Sequence, residues 1–219
     1  MAEVNLLRRY PRSRRSVSKR AHAKTPEHIR ISREYGAEYF DGAREYGYGG
    51  YHYDGRWGAI AEDMIAHWGL KAGDRVLDVG CAKGFLVKDF MKACPGLEAF
   101  GLDISEYAVM KCEHEVVGRL HLGNATHLPF SDDSFAAVTS INTIHNLSRA
   151  ECVQALCEME RLAPGRGYVQ VDSYRTPEER ELFLDWVLTA HTHGYPAEWE
   201  GIFTEAGYTG DFYWTFVTE

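Results

Sequence analysis

At 219 residues the chain is long enough for one α/β domain with a full core, and 45% apolar with 26% charged residues is ordinary for a soluble globular protein. No run of about 18 apolar residues and no apolar leader core near Met1 occur, so neither a transmembrane helix nor a membrane partner is expected. The formal net charge is −8; residues 1–24 alone carry +7, which leaves −15 on the rest and argues against a nucleic-acid surface on the folded body.

The +7 comes from Arg8, Arg9, Arg12, Arg14, Arg15, Lys19, Arg20 and Lys24 against Glu3. Residues 1–24 read as a flexible basic arm. Three uses stay open: a solvated tail, docking on an acidic partner or on the chain's own acidic body, and an Arg/Ser-rich transit peptide. A second unit spans 25–57. Thr25-Pro26-Glu27 signals a helix start. Residues 39–57 then alternate tyrosine with glycine, which reads as an ordered loop lying over something. Its lid candidates are Tyr48, Tyr51, His52, Tyr53 and Trp57, because aromatic faces attract organic cations. The alternative is a strap packed on the outside of the domain.

The third unit, 58–219, begins with a helix over 56–70, whose apolar stripe is Ile60, Met64, Ile65 and Trp68. Strands and helices then alternate. Strands are predicted at 75–79, 98–103, 119–122, 135–141, 168–174 and 208–217. Helices are predicted from Phe85, from Ser105 to about Val116, at 148–162, from Pro177 and at 196–206. This alternation means an α/β, doubly wound, mostly parallel sheet of six to seven strands with flanking helices. Ligands of such sheets sit at the carboxyl ends of the strands, and Asp78, Asp103, Asn124 and Asn142 all fall there. The five cysteines are odd in number and lack CxxC spacing, so reduced thiols in a cytoplasm are expected, with no metal site.

The stretch RVLDVGCAKGF, 75–85, joins a buried strand to a helix start through Gly80, Cys81 and Gly84. A glycine turn there lets backbone approach a ligand closely. The spacing Gly80-x-x-x-Gly84 lacks the middle glycine of dinucleotide sites, and Asp78 would repel a pyrophosphate. An acid in that position suits a cationic ligand. His145, after the fourth strand, can titrate near neutral pH and is a candidate general base or a buried structural histidine. Asp172 and Arg175, after the fifth strand, are candidates for a polar crevice mouth or a structural ion pair.

The Asp78-x-Gly80-x-x-x-Gly84 pattern resembles motif I of the class I S-adenosylmethionine (SAM) methyltransferases, a Rossmann-like fold. The resemblance implies SAM as cofactor. It places Asp78 near the amino-acid end of SAM and makes Gly80, Cys81 and Gly84 cofactor-binding positions, with Ala82 where the family often has glycine. It puts Asp103 on the ribose hydroxyls, Ile104 on the adenine face, Asn124 and Ala125 at the adenine edge, and Ser140 to Asn146 along the methyl-transfer site, with Asn142 counted as cofactor-binding and His145 as catalytic. GYGGYHYDGRW, SINTIHNL, VDSYR and EAGYTGDFYW further resemble an uncharacterised bacterial methyltransferase subgroup associated with sugar biosynthesis. The implied activity is methyl transfer to a small polar acceptor, such as a sugar hydroxyl or an amine. A non-catalytic SAM-binding scaffold is the alternative, and a homodimer is left open. The family's usual seventh, antiparallel strand lacks room after Gly207, so six strands are expected, or a seventh supplied another way.

Overall fold

The computed structural model describes residues 1–11 and 16–218. Nine helices and six strands are found among them: α1 Val17–Ala23, α2 Pro26–Ser32, α3 Ala37–Asp41, α4 Gly58–Trp68, β1 Arg75–Val79, α5 Phe85–Ala93, β2 Glu98–Asp103, α6 Glu106–Met110, β3 Leu120–Leu122, β4 Ala137–Ile141, α7 Arg149–Leu162, β5 Gly167–Ser173, α8 Pro177–Trp186, α9 Pro196–Glu205 and β6 Asp211–Phe216. The strands form one sheet in the order β3-β2-β1-β4-β5-β6, and every pairing is parallel. Strand order reverses between β1 and β4, the point at whose carboxyl ends doubly wound sheets place their ligands.

Both faces of the sheet are covered, which is why its strands read as continuous apolar runs. Leu77, Val79, Val138, Val169 and Val171 pack with α7 and α9 through Leu156, Met159, Trp199 and Phe203. Val76, Ala99, Ala137 and Tyr168 pack on the other face with α4 and α5 through Ile60, Met64, Val87 and Phe90. Capping follows the sequence signals. The Thr25 hydroxyl accepts the His28 N–H, Ser105 accepts that of Ala108, and Ser148 with Glu151 forms a capping box.

Three expectations change. The helix after Ser105 ends at Met110, and only a short 3-10 turn follows at His114–Val116. The chain is drawn back onto α5 there, because the Glu113 N–H donates to Lys83 O and the Lys88 ammonium pairs with Glu113 and Glu115. The Tyr/Gly stretch opens with helix α3, whose Phe40 is buried.

The described part of the basic arm is docked rather than solvated. Glu3 bridges Phe212 in parallel register, the Val4 N–H donates to Phe212 O at 2.8 Å, and the Phe212 N–H donates to Ala2 O at 3.0 Å. These residues cover the open edge of β6, the place where a seventh strand would stand. Leu6 and Val17 are buried, and Arg8 and Arg9 pair with Glu62 and Asp63 of α4. The chain's own acidic body is therefore what these arginines meet. Arg12, Arg14 and Arg15 lie outside the described residues. No helix among the described residues is long and apolar enough to cross a membrane.

Candidate functional site

The site begins where β1 ends and the chain turns into α5. Gly80 has φ of 82°, and a Cβ there would lie 1.9 Å from Thr143 Oγ1, so glycine is required on both counts. A Cβ on Gly84, at φ 78°, would press within 2.9 Å of Val116 Cγ2. Between them Ala82 holds φ of 50°, a left-handed conformation that costs a side-chain-bearing residue about 1 kcal/mol. The N–H groups of Gly80 and Cys81 both donate to Leu102 O, at 2.7 and 3.2 Å, which ties the turn to β2. Cys81 points away from the crevice: its thiol is buried against Gly101 of β2, and burial pushes its pKa up.

Two acids face the turn. Asp78 is only 6% exposed, and burial, with the charge of Asp103 adding, pushes its carboxyl up to about 8. Its carboxylate has no hydrogen-bond partner among the described residues. Asp103 is also buried, and desolvation raises its pKa against the pull of the Ser105 and Ala82 N–H groups. Its Oδ2 accepts from Ala82 N at 2.7 Å and its Oδ1 from Ser105 N at 2.8 Å. A carboxylate accepts about four hydrogen bonds, so each oxygen keeps capacity for a ligand hydroxyl. Beside it Ile104 leaves an apolar side chain 56% exposed at the strand end. A turn packed too tightly for side chains at Gly80 and Gly84, two acids with spare acceptor capacity and a bare isoleucine fit a cationic, ribose-bearing ligand.

The next two positions are less committed. Asn124 is exposed, and its Oδ1 accepts from Thr126 N and Oγ1, both at 3.0 Å, so the asparagine shapes its own turn while its amide N–H2 stays available. Ala125 is buried in the core beneath it. Asn142 follows β4 at φ 53° and is exposed. Its N–H donates to both the backbone oxygen and the Oε1 of Gln170, each at 3.0 Å.

His145 is buried, and its Nδ1 accepts the Asp172 N–H at 3.3 Å. That bond places the ring proton of the neutral imidazole on Nε2. Burial lowers its pKa, while Asp172 pulls the other way. Its carbonyl accepts from His191 N at 2.9 Å and Thr192 N at 3.0 Å. A neutral histidine in this tautomer offers a hydrogen-bond donor, not a lone pair for proton abstraction. The geometry therefore favours positioning over base catalysis.

Asp172 and Arg175 do not share a crevice mouth. Asp172 Oδ1 accepts the Thr215 hydroxyl of β6. Arg175 pairs with Glu179 one helical turn on, and its guanidinium lies 4.2 Å from the Phe216 ring centroid. Neither ion-pair reading with the other residue holds, because each has a partner on its own side of the strand end.

The Tyr/Gly stretch divides at His52. Tyr51 stacks on Phe85, at the start of α5, with 4.6 Å between centroids and 15° between planes, and Tyr48 lies 4.3 Å from Tyr51. Phe40, Ala82 and Ala108 form one buried cluster with Tyr35, Tyr39, Tyr51 and Tyr107 against it. This group roofs the turn of residues 80–84. Burial raises the Tyr51 hydroxyl, with Tyr48, Tyr10 and Asp78 adding to it. His52 is exposed. Tyr53 turns outward, donating to Asp89 Oδ1 at 2.5 Å under the Lys92 ammonium, and Trp57 packs on Tyr10 at 4.8 Å. Tyr53 and Trp57 thus belong to a strap on α5 and α4.

Several residues that shape the site carry no motif. The Lys83 ammonium, inside the turn, donates to both carboxylate oxygens of Asp41 at 2.8 and 2.7 Å. The Ser105 hydroxyl donates to Tyr35 O at 2.6 Å, and Arg33 reaches Ala190 O at 3.2 Å. Residues 187–195 cross the ends of β4 and β5, where the His191 and Thr192 N–H groups donate to His145 O and the Ser173 hydroxyl donates to Gly194 O at 2.8 Å. Only the position of Lys83 between two motif glycines was a signal, and it does not name a partner.

Residues 77–171, which run from β1 through β5, match the family described as a methyltransferase domain. Over that segment, and in its all-parallel doubly wound sheet, the chain is similar to methyltransferase domains. It is 30% identical over 128 residues to a demethylmenaquinone methyltransferase of Symbiobacterium thermophilum, covering 54% of this chain and 50% of that one. An uncharacterised methyltransferase of Schizosaccharomyces pombe is 31% identical over 145 residues, covering 57% and 51%. The chain thus spans about half the length of the curated relatives it matches. Among solved structures, a chain of the complex of the Haloferax volcanii Trm112 methyltransferase activator superposes with a TM-score of 0.55 at 26% identity, covering 67% and 66%. The YcgJ protein of Bacillus subtilis shares the fold with a TM-score of 0.52 at 23% identity, covering 67% and 66%.

Proposed function

We propose that the chain binds SAM at the carboxyl ends of β1 and β2 and transfers its methyl group to a small polar acceptor beneath the tyrosine roof. The observation that carries this reading is the pairing of two buried acids, Asp78 and Asp103, around a turn that only glycine can make at residue 80. In this reading Asp103 accepts the two ribose hydroxyls and fixes the ligand's register. Asp78 faces the ammonium of the amino-acid end, and ionisation of its raised carboxyl is driven by that cation. Ile104 lies on the adenine face and the Asn124 amide along its edge. The bound cofactor supplies an electrophilic methyl on a sulfonium, so the protein's work is alignment and water exclusion. Tyr48 and Tyr51 exclude water, and His145 Nε2–H orients an acceptor oxygen or nitrogen.

In this reading the acceptor side is built from the N-terminal cap and residues 172–218, all of which lie outside the matched segment. The quinone named for the first relative therefore enters as one arm of the test rather than as the substrate. The experiment incubates the protein with methyl-labelled SAM and separate pools of sugar nucleotides, small amines and demethylated quinones, read by mass spectrometry. Label on a sugar or amine supports the proposal, and label on the quinone alone overturns its acceptor class. A second reading, a SAM-binding scaffold without turnover, draws on the His145 tautomer, which leaves no base positioned among the described side chains at that strand end. Saturable SAM binding with no label in any pool would establish it.

A further inference from the structure

Lys83 is the single cation in the turn of residues 80–84, and its side chain is 7% exposed. A free ammonium there would oppose a ligand that is itself cationic. It is not free. Both oxygens of Asp41 accept from it, and its remaining bond, at 2.9 Å, goes to Tyr51 O. Asp41 is saturated in turn: the Tyr107 hydroxyl donates to Oδ2 at 2.7 Å and the Tyr51 N–H to Oδ1 at 3.1 Å. Burial raises the Asp41 carboxyl, but Lys83, Tyr107 and the Tyr51 N–H outweigh it and hold it down at about 2. The pair joins the end of α3 to the cofactor turn, so it fastens the roof to the floor of the site.

Resting on the SAM-binding reading, we propose that Asp41 and Lys83 are positioning residues with two linked effects: they latch the tyrosine roof over the cofactor turn, and Asp41 cancels the turn's one positive charge so that the site keeps its preference for a cation. The charge effect separates two ligands of nearly the same shape. SAM carries a sulfonium and S-adenosylhomocysteine does not, so an uncompensated ammonium disfavours the first more than the second.

The test measures the dissociation constants of SAM and S-adenosylhomocysteine, together with amide hydrogen exchange of residues 37–51 without ligand. Four full-length variants are compared: Asp41→Asn, Lys83→Met, the double variant and Tyr107→Phe. Asp41→Asn should weaken SAM about tenfold more than S-adenosylhomocysteine, while Lys83→Met shifts the ratio the other way and the double variant returns it to the wild-type value. Exchange at 37–51 should accelerate about tenfold or more in the first three variants, and less in Tyr107→Phe, with β1 and β2 unchanged. A SAM-to-S-adenosylhomocysteine ratio that does not move in Asp41→Asn overturns the charge role, and unchanged exchange overturns the latch. Should Asp41→Asn fail to fold, Lys83→Met and Tyr107→Phe still decide both points. Wild-type protein that binds neither ligand refutes the cofactor reading, and the exchange arm then judges the latch by itself.

Discussion

Asp78 sets the pH behaviour of the site. Its folded pKa of about 8 stands above the ordinary carboxylate value of 3.8, so the unfolded chain loses this proton first as pH rises. Ligand-free stability should therefore fall between about pH 4 and pH 8, and Asp78→Asn should flatten that fall in thermal melts. A cation beside Asp78 favours the ionised form. SAM affinity should then rise with pH up to about 8 and level off above it, a slope that Asp78→Asn removes. Asp103→Ala loses both ribose acceptors and releases the Ala82 and Ser105 N–H groups, so SAM binding should weaken at least about 100-fold by calorimetric titration. His145 gives the opposite kind of expectation. Its Nδ1 accepts a backbone N–H and burial keeps it neutral, so His145→Gln should lower turnover without changing the shape of the pH–rate profile above pH 6. Loss of an alkaline-rising limb in that variant would restore it as a base.

Among the elements, the N-terminal segment carries more of the fold than its charge suggests. Leu6 is buried against the α4/α5 face, its N–H reaches the Tyr168 hydroxyl at 3.3 Å, and residues 2–4 cover β6. Leu6→Ala should cost about 2–4 kcal/mol and lower the melting temperature by roughly 5–10 °C in calorimetry. A melting temperature unchanged by that substitution would mean the segment is not held. The β/α alternation was legible because strands covered on both faces and capped helices leave local signals. Glu98 to Asp103 and the start at Ser148 are examples, each set by neighbours in the chain. The docking of residues 2–10 was not, because β6 offers its edge from more than 200 positions away. The early end of α6 was hidden for the same reason: its cause is the Lys88–Glu113 pair with another helix.

For the whole molecule, the geometry at the ends of β1 and β2 was readable and that at the ends of β4 and β5 was not. Gly80, Asp78 and Asp103 follow one another at short spacing on β1 and β2, so the topology alone brings them together. The N-terminal cap and the loop of residues 187–195 meet only in three dimensions, through the Arg33 guanidinium and Ala190 O. Tyr53 and Trp57 look like Tyr48 and Tyr51 in sequence, yet face α5 and α4 instead of the crevice. The methyltransferase domain match ends at residue 171, short of that loop. The central claim is a cationic cofactor held by two buried acids. It is tested most directly by isothermal titration of SAM near neutral pH in two buffers of different ionisation enthalpy. The account predicts saturable binding that releases a proton from Asp78, with that release absent in Asp78→Asn. No saturable binding, or the same proton release in the variant, would contradict it.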